Sequence, residues 1–315
     1  MKKIAFLDIV HPILEEKLTN FGFECIDLTA VSKTNIESDI QNFHGIVIRS
    51  RFSMDRSFLL KASQLEFIAR SGAGMENIDL VYCEKNNIQL FNAPEGNRNA
   101  VGEHALGMLL SLFNNLNKGD TEIRKGIWDR EGNRGVELDG KTVGLIGYGN
   151  NGQAFAQKLS GFNVKVLTFD KYKTNYSNEF AQEATMNQIF GEVDVISFHI
   201  PQNHETKFMV DSNYLNQFKK NIYLINLSRG EIVKTDSLVE GLKNGTIKGA
   251  CLDVLEFEKS SFEDVFSDFE NIPTSFKYVL KSKNVILSPH VGGWTIESYY
   301  KLSDVLAKKV INFYK

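Results

Sequence analysis

Three short segments set an arginine, a glutamate and a histidine each just past a run of apolar residues. Asn226-Leu227-Ser228-Arg229-Gly230 follows residues 222–225, Asp253-Val254-Leu255-Glu256-Phe257-Glu258 follows a run closing at Leu252, and Ser288-Pro289-His290-Val291-Gly292-Gly293 follows Val285–Leu287. Runs of this kind read as strands. Ligands of open α/β sheets lie beyond the carboxyl ends of strands, so all three segments point into one crevice. There Arg229 can grip a carboxylate with its two-pronged guanidinium. His290 can pass a proton to or from an oxygen, worth roughly 10²–10⁴ in rate, and Glu258 can orient the imidazole.

A fourth segment would bind phosphate. Gly147-Tyr148-Gly149-Asn150-Asn151-Gly152 comes straight after the apolar run Thr142–Ile146 and leads into Gln153-Ala154-Phe155-Ala156. In that setting Gly147 permits a tight turn, Gly149 lets backbone approach a pyrophosphate, and Gly152 lets helix and strand pack closely. The helix N-terminus offers unpaired N–H groups to the phosphates. Asp170 closes the next run, residues 164–169, where a carboxylate accepts from ribose hydroxyls and repels a 2′-phosphate. This favours NAD over NADP, a preference softened by Lys171 and Lys173. The alternative is a glycine-rich turn of another α/β protein, with Asp170 a surface charge; the order of strand, glycines and acid favours the cofactor.

These residues need a scaffold. A length of 315 residues corresponds to about two domains. The first hundred alternate apolar runs (4–7, 23–26, Gly45–Ile48, 66–69, 88–91) with helical spacings such as Ile13, Leu14, Leu18 and Phe21. That alternation predicts a parallel sheet covered by helices. A helix over 99–116, apolar on more than one side, must be buried between domains or subunits. A polar loop over 118–140 carries Trp128, and a second series follows with strands at Thr142–Ile146, 164–169, 193–198, Ile222–Asn226, 249–252 and Val285–Leu287. The last helical pattern, from Trp294, is expected to fold back onto the first domain. The fold class is therefore α/β: two doubly wound parallel-sheet, Rossmann-like domains separated by a hinged cleft.

Composition removes other classes. With 42% hydrophobic and 24% charged residues the chain has ordinary globular usage. Lys and Arg number 36 against 39 Asp and Glu, a net charge of -3, too balanced to suggest a nucleic-acid or polyanion binder by charge alone. Cys25, Cys83 and Cys251 are scattered, so neither a disulfide framework nor a cysteine zinc site is expected, and the compartment reads as reducing. The apolar run after Lys3 ends at Asp8, too soon for a signal peptide, and residues 105–113 fall short of a membrane span. A cytoplasmic protein with no membrane partner is expected. The end at Lys315, after one helical pattern, predicts no C-terminal regulatory domain. Of the histidines, His11, His44 and His204 read as solvated or capping, His199 as structural, and His104 as interface packing; no metal cluster is present. Arg49 and Arg51 flank Ser50 at a strand end, either as solvated cations or as a grip for an anionic tail.

Taken together, these runs resemble one family. Val47-Ile48-Arg49-Ser50, Arg70-Ser71-Gly72-Ala73-Gly74-Met75-Glu76-Asn77-Ile78-Asp79, Asn92-Ala93-Pro94, Ala100-Val101-Gly102-Glu103-His104, Glu137-Leu138-Asp139-Gly140-Lys141-Thr142, His199-Ile200-Pro201 with Thr206, and the three segments above span nearly the whole chain. They are similar to the NAD-dependent D-2-hydroxyacid dehydrogenases, in the branch around D-3-phosphoglycerate dehydrogenase and glyoxylate/hydroxypyruvate reductase. The resemblance implies that Arg229, Glu258 and His290 are catalytic and that Asp253 holds the nicotinamide carboxamide. It implies cofactor contacts from Gly147, Tyr148, Gly149, Asn150, Asn151, Gly152, Asp170, His199, Pro201 and Thr206. Backbone N–H groups around Ser71, Gly72, Ala73 and Gly74 would hold the substrate carboxylate, with Arg49, Ser50 and Arg51 nearby. It further implies a substrate-binding domain of residues 1–97 and 291–315, an NAD-binding domain of residues 98–290, and a homodimer paired through the helix after Pro94 and the arm around Trp128.

The expected reaction interconverts a D-2-hydroxy acid and its 2-oxo acid by hydride transfer, with domain closure expelling water. The first substrate expected is 3-phosphoglycerate, feeding serine synthesis; the second reading is a glyoxylate/hydroxypyruvate reductase with Arg51 turned to solvent. A reading from another class is an NAD(H)-sensing binding protein. The chain departs from the family at Asn151, where Ile or Val is usual, and at Lys259, where Pro is common. It also has 31 residues between Glu258 and His290, including an extra segment at 260–278, a lid or passive insertion. Trp294 replaces a small residue and is expected to narrow the substrate cavity.

Overall fold

The computed structural model describes residues 1–258 and 272–315. They form two compact units, one from Met1–Arg98 with Trp294–Lys315, the other from Asn99–Glu258 with residues 272–293.

The first unit is built on β1 (Lys3–Phe6), β2 (Glu24–Asp27), β3 (Gly45–Ile48), β4 (Phe67–Arg70) and β5 (Gln89–Phe91), all parallel in the order β2-β1-β3-β4-β5. Both β3 and β4 are buried along their whole length, as strands covered on both faces must be. One face packs Ile36, Ile40, Phe58 and Ile68; the other packs Leu14, Leu18 and Phe67 with Leu302, Leu306 and Val310. Those last three are one stripe of the helix Ile296–Phe313, which opens on a Thr295–Ser298 capping box. Each buried side chain of this kind contributes about 1.5–3 kcal/mol, which holds the chain's last helix to this sheet. The winding reverses between β1 and β3, so Asp8 and residues 49–51 lie at the switch point.

The second unit contains β6 (Thr142–Ile146), β7 (Lys165–Phe169), β8 (Gln182–Glu183), β9 (Val195–Phe198), β10 (Ile222–Asn226), β11 (Ile247–Leu252) and β12 (Val285–Leu287), parallel throughout in the order β12-β11-β10-β9-β6-β7-β8. Its winding reverses between β6 and β9. Val101, Ala105, Met108, Leu109 and Phe113 of the helix Pro94–Phe113 pack with Val143, Leu145 and Phe155. Both sheets are parallel and doubly wound, as the strand–helix alternation predicts.

Three local expectations need correction. The long helix starts at Pro94, where a missing N–H costs nothing, and stops at Phe113 because Asn115 turns left-handed with φ 52. Asn115 then precedes a separate helix, Leu116–Arg124, in what reads from sequence as loop. The two-residue edge strand β8 has no apolar run to announce it. Of the extra segment 260–278, residues up to 271 lie outside the described residues, as does Lys259, while 274–278 belong to the helix Thr274–Lys281. Among the described residues no helix is long and apolar enough to cross a membrane.

Candidate active site

The glycine turn follows β6. Gly147 has φ 93, and a Cβ on it would stand 2.5 Å from His199 O. A Cβ on Gly152 would stand 2.2 Å from Gly147 O, so the helix Asn150–Leu159 presses directly on the turn. Gly149 differs: its Cβ would meet nothing within 4 Å. That open space faces the helix's first N–H groups, which no side chain caps, and so fits a pyrophosphate. Asn151 Oδ1 is buried and accepts no bond among the described residues.

Asp170 orders this turn. Its carboxylate accepts the Tyr148 N–H at 2.9 Å and the Tyr172 N–H at 3.0 Å. The two cations beside it are engaged: Lys171 pairs with both oxygens of Glu205 at 2.7 Å, and Lys173 Nζ donates to Tyr148 O at 2.6 Å. The Tyr148 side chain is buried in the core and bonds Asn178, so only its backbone belongs to the turn. His199 lies with Nε2 2.9 Å from Ser197 Oγ, and burial drives its pKa down to about 4, leaving it neutral. Thr206 Oγ1 donates to Pro201 O at 2.7 Å and accepts from Asn203 N–H at 2.8 Å, closing the 201–206 turn. His199, Pro201 and Thr206 thus brace the loop next to the glycine turn.

The segments carrying Arg229, Glu258 and His290 leave three adjacent strands side by side. Asn226 of β10 aligns with Leu252 of β11, and Leu252 with Leu287 of β12. A Cβ on Gly230 would lie 1.9 Å from Leu255 O, so the Arg229 and Glu258 loops touch. Arg229 is fixed by Asn226 Nδ2, which donates to its carbonyl at 2.9 Å, and by its own Nη1, which donates to Ser228 O at 2.6 Å. Glu258 Oε1 and Oε2 stand 3.1 and 3.2 Å from His290 Nδ1. An ionised carboxylate only accepts, so it is Nδ1 that carries the hydrogen of this contact.

His290 adopts φ 54, an uncommon conformation for a residue with a Cβ, costing about 1–3 kcal/mol. Asp253 over-determines it. Asp253 O accepts the His290 N–H at 2.8 Å, Oδ1 accepts the Val291 N–H at 2.9 Å, and Oδ2 the Gly292 N–H at 2.8 Å. Asp253 is only 2% exposed. Burial alone would raise its carboxyl, but hydrogen bonds from His104, Ser288, Gly292 and Val291 outweigh that and hold it below the usual range. His104, which reads as interface packing from sequence, has Nε2 2.9 Å from Ser288 Oγ across a separation of 184 residues. No local pattern could have announced that partner.

In the first unit, Asp8 Oδ2 accepts the N–H groups of Arg49, Ser50 and Arg51 at 2.7, 3.0 and 3.1 Å. Arg51 needs a correction. Its Nη1 donates to Leu7 O and Leu28 O at 3.0 Å and its Nη2 to Val31 O at 2.6 Å. The half-buried guanidinium ties loops together through backbone carbonyls: the chain bends at residues 49–52 instead of running on as a strand, in which residues two apart would share a face. Arg49 instead lies 4.0 Å from the Trp294 ring centre. Among the described residues no carboxylate stands within ion-pair distance of its guanidinium; burial lowers its pKa, and the nearby Asp8 charge partly offsets this. Ser71 is buried, its N–H bonded to Ile48 O at 2.8 Å. At Gly72, with φ 158, a Cβ would fall 1.7 Å from the Arg70 guanidinium. No acceptor among the described residues takes the N–H of Ala73 or Gly74, while Asn92 Nδ2 secures Ala73 O at 2.6 Å.

Comparison with known proteins bears on this geometry. Residues 106–292 match the model of the D-isomer specific 2-hydroxyacid dehydrogenase, NAD binding domain. The chain belongs to the D-isomer specific 2-hydroxyacid dehydrogenases. A D-3-phosphoglycerate dehydrogenase of Archaeoglobus fulgidus is 28% identical over 98% of this chain, which spans 57% of that protein's length. A glyoxylate reductase of Pyrococcus furiosus is 29% identical, covering 90% of this chain and 83% of the relative. The solved D-lactate dehydrogenase of Aquifex aeolicus, in complex with NAD and lactic acid, is 26% identical with a TM-score of 0.83, covering 99% of this chain and 95% of that one. D-2-hydroxyisocaproate dehydrogenase, at 24% identity, TM-score 0.85 and coverage of 100% and 97%, shares the fold.

Proposed function

We propose that this dehydrogenase interconverts a D-2-hydroxy acid and its 2-oxo acid with NAD as cofactor. The observation that carries the reading is the His290–Glu258 pair, held on a loop beside that of Arg229 at the carboxyl ends of β10, β11 and β12. When bound, NADH supplies the hydride that reduces the carbonyl carbon. His290, fixed at Nδ1 by Glu258, gives the proton on Nε2 to the carbonyl oxygen, and in the opposite direction takes it from the hydroxyl. Arg229 polarises that oxygen and grips the carboxylate. The Gly149 space and helix N-terminus would hold the pyrophosphate, Asp170 the ribose, and Asp253 the nicotinamide carboxamide. The complete Arg–Glu–His set favours turnover over a purely sensing role.

The first substrate is 3-phosphoglycerate, a step of serine synthesis, with the Ala73 and Gly74 N–H groups taking its carboxylate and Arg49 its phosphate. An arginine stacked on Trp294 with no carboxylate at ion-pair distance among the described residues supports that reading, as does the Archaeoglobus relative. The second reading, a glyoxylate/hydroxypyruvate reductase, is supported by the commitment of Arg51 to backbone, which leaves one arginine for the tail instead of two. Exposed Leu116, Ile123, Ile127 and Trp128 support a homodimer, and the scattered free cysteines a reducing, cytoplasmic setting.

The test is NADH oxidation by purified protein against 3-phosphohydroxypyruvate, hydroxypyruvate, glyoxylate and pyruvate. Preference for the phosphorylated acid supports the first reading and preference for a small acid the second. Binding of NADH without turnover on any of them overturns both in favour of a sensor.

A further inference from the structure

The reacting imidazole sits on a loop whose anchor is itself anchored. Ser288 Oγ lies 2.6 Å from Asp253 Oδ1 and 2.9 Å from His104 Nε2, with Met108 Sδ at 3.6 Å. A hydroxyl has one proton to donate. Facing a buried, ionised carboxylate at this distance, that proton goes to Asp253. The hydroxyl oxygen is then left to accept, so His104 must present an Nε2–H. The same Nε2 is 3.5 Å from Asp253 Oδ1. A relay runs from His104 through Ser288 to the carboxylate that gathers the Val291 and Gly292 N–H groups and whose backbone oxygen holds His290 at φ 54. A Cβ on Gly292 would come within 3.4 Å of His104 Cδ2, so the imidazole also walls this loop.

We infer that His104 is a positioning residue of the reaction: through Ser288 it fixes Asp253, and with it the backbone that aims His290. The inference rests on the role of His290 given above. Removing the donor should loosen the aim of His290 without unfolding the sheet, and misplacement of a catalytic group by about 1 Å costs up to about 100-fold.

The experiment uses the full-length protein with its best 2-oxo acid. His104→Phe is expected to lower kcat about 10- to 100-fold, with KM for the acid changing less than about threefold. Ser288→Ala should do the same, and the double variant should be no worse than either, because both break one relay. His104→Gln, which keeps an N–H donor, should recover to within about threefold of wild type. Multiplying effects in the double variant, no recovery with Gln, or wild-type kcat in His104→Phe would each overturn the inference. Should His104→Phe melt below the assay temperature, His104→Asn, with a shorter reach, replaces it under the same expectation. His290→Ala separates the two levels: wild-type turnover there removes the acid–base reading itself, whereas a dead His290→Ala beside an unimpaired His104→Phe removes only the relay.

Discussion

One methyl group added at either of two glycines in the same turn should separate folding from cofactor binding. At Gly152 the new Cβ lands 2.2 Å from Gly147 O, where ordinary contact begins near 3.4 Å, so helix and turn must part by more than an ångström. Overpacking of this kind costs about 1–3 kcal/mol, and each kcal/mol lowers Tm by about 2–4 °C in a domain of this size. At Gly149 the new Cβ meets no atom within 4 Å, and φ -82 is open to alanine. The only folding cost is a poorer N-cap, about 0.5–1 kcal/mol. That Cβ does enter the space faced by the helix's first N–H groups. A phosphate oxygen kept from even one of them forfeits a charge-assisted bond worth about 1.5–3 kcal/mol, which raises Kd about tenfold or more. Thermal melts and NADH fluorescence titrations on both variants check the pair. Gly152→Ala should melt lower, and Gly149→Ala should fold well and bind NADH poorly. A Gly149→Ala protein binding NADH within about twofold of wild type would refute the placement of the pyrophosphate.

Three further outcomes follow from the same geometry. His290→Asn should lower kcat by about 10²–10⁴, and Glu258→Gln by less, since it loses charge but keeps an acceptor; steady-state kinetics check the order, and the reverse ranking breaks the assignment. Arg51→Gln should lower Tm while leaving the ratio of KM for phosphorylated and unphosphorylated acids unchanged, and Arg49→Gln should shift that ratio; a ratio moved by Arg51 alone would show that its carbonyl ties are not its task. His199 has a folded pKa of about 4 against an ordinary 6.5, so the unfolded chain takes its proton first as pH falls. Its stabilisation is complete above pH 6.5 and lost on the way down to 4, by about 1–3 kcal/mol given its partial exposure. Denaturant titrations between pH 7 and 4.5 should show a flatter slope for His199→Gln; equal slopes would count against a buried neutral imidazole.

The parallel sheets were legible because a strand covered on both faces must be a continuous apolar run, and Thr142–Ile146 or Gly45–Ile48 is little else. Elements that bury nothing stayed hidden for the same reason. The helix Leu116–Arg124 has no buried residue, and Gln182–Glu183 sits at a sheet edge. The places of candidate site residues were legible where distance past a strand end fixes them, as for Arg229, Glu258, His290 and the glycine turn. Two kinds of residue escaped that rule. Arg49 and Arg51 share a type and a segment, and only the carbonyls of Leu7, Leu28 and Val31 tell them apart. His104 bonds a partner 184 positions away on another element.

The acids at the strand ends carry a broader lesson. Asp8 follows β1 and takes three N–H groups of the loop after its neighbour β3. Asp170 follows β7 and takes the Tyr148 N–H of the loop after its neighbour β6. Asp253 follows β11 and takes two N–H groups of the loop after its neighbour β12. In each case a chain leaving a parallel sheet has N–H groups with no further strand to bond, and an acceptor-only carboxylate on the adjacent strand satisfies them. A strand-end acid therefore earns its place before any ligand arrives, by shaping the loop that meets the ligand. Ligand contact and loop anchoring call for the same residue at the same spot, so motif spacing alone cannot divide the two roles. Substituting such an acid should disturb the neighbouring loop as well as the contact, and a variant of the loop's own residue is the cleaner probe of chemistry.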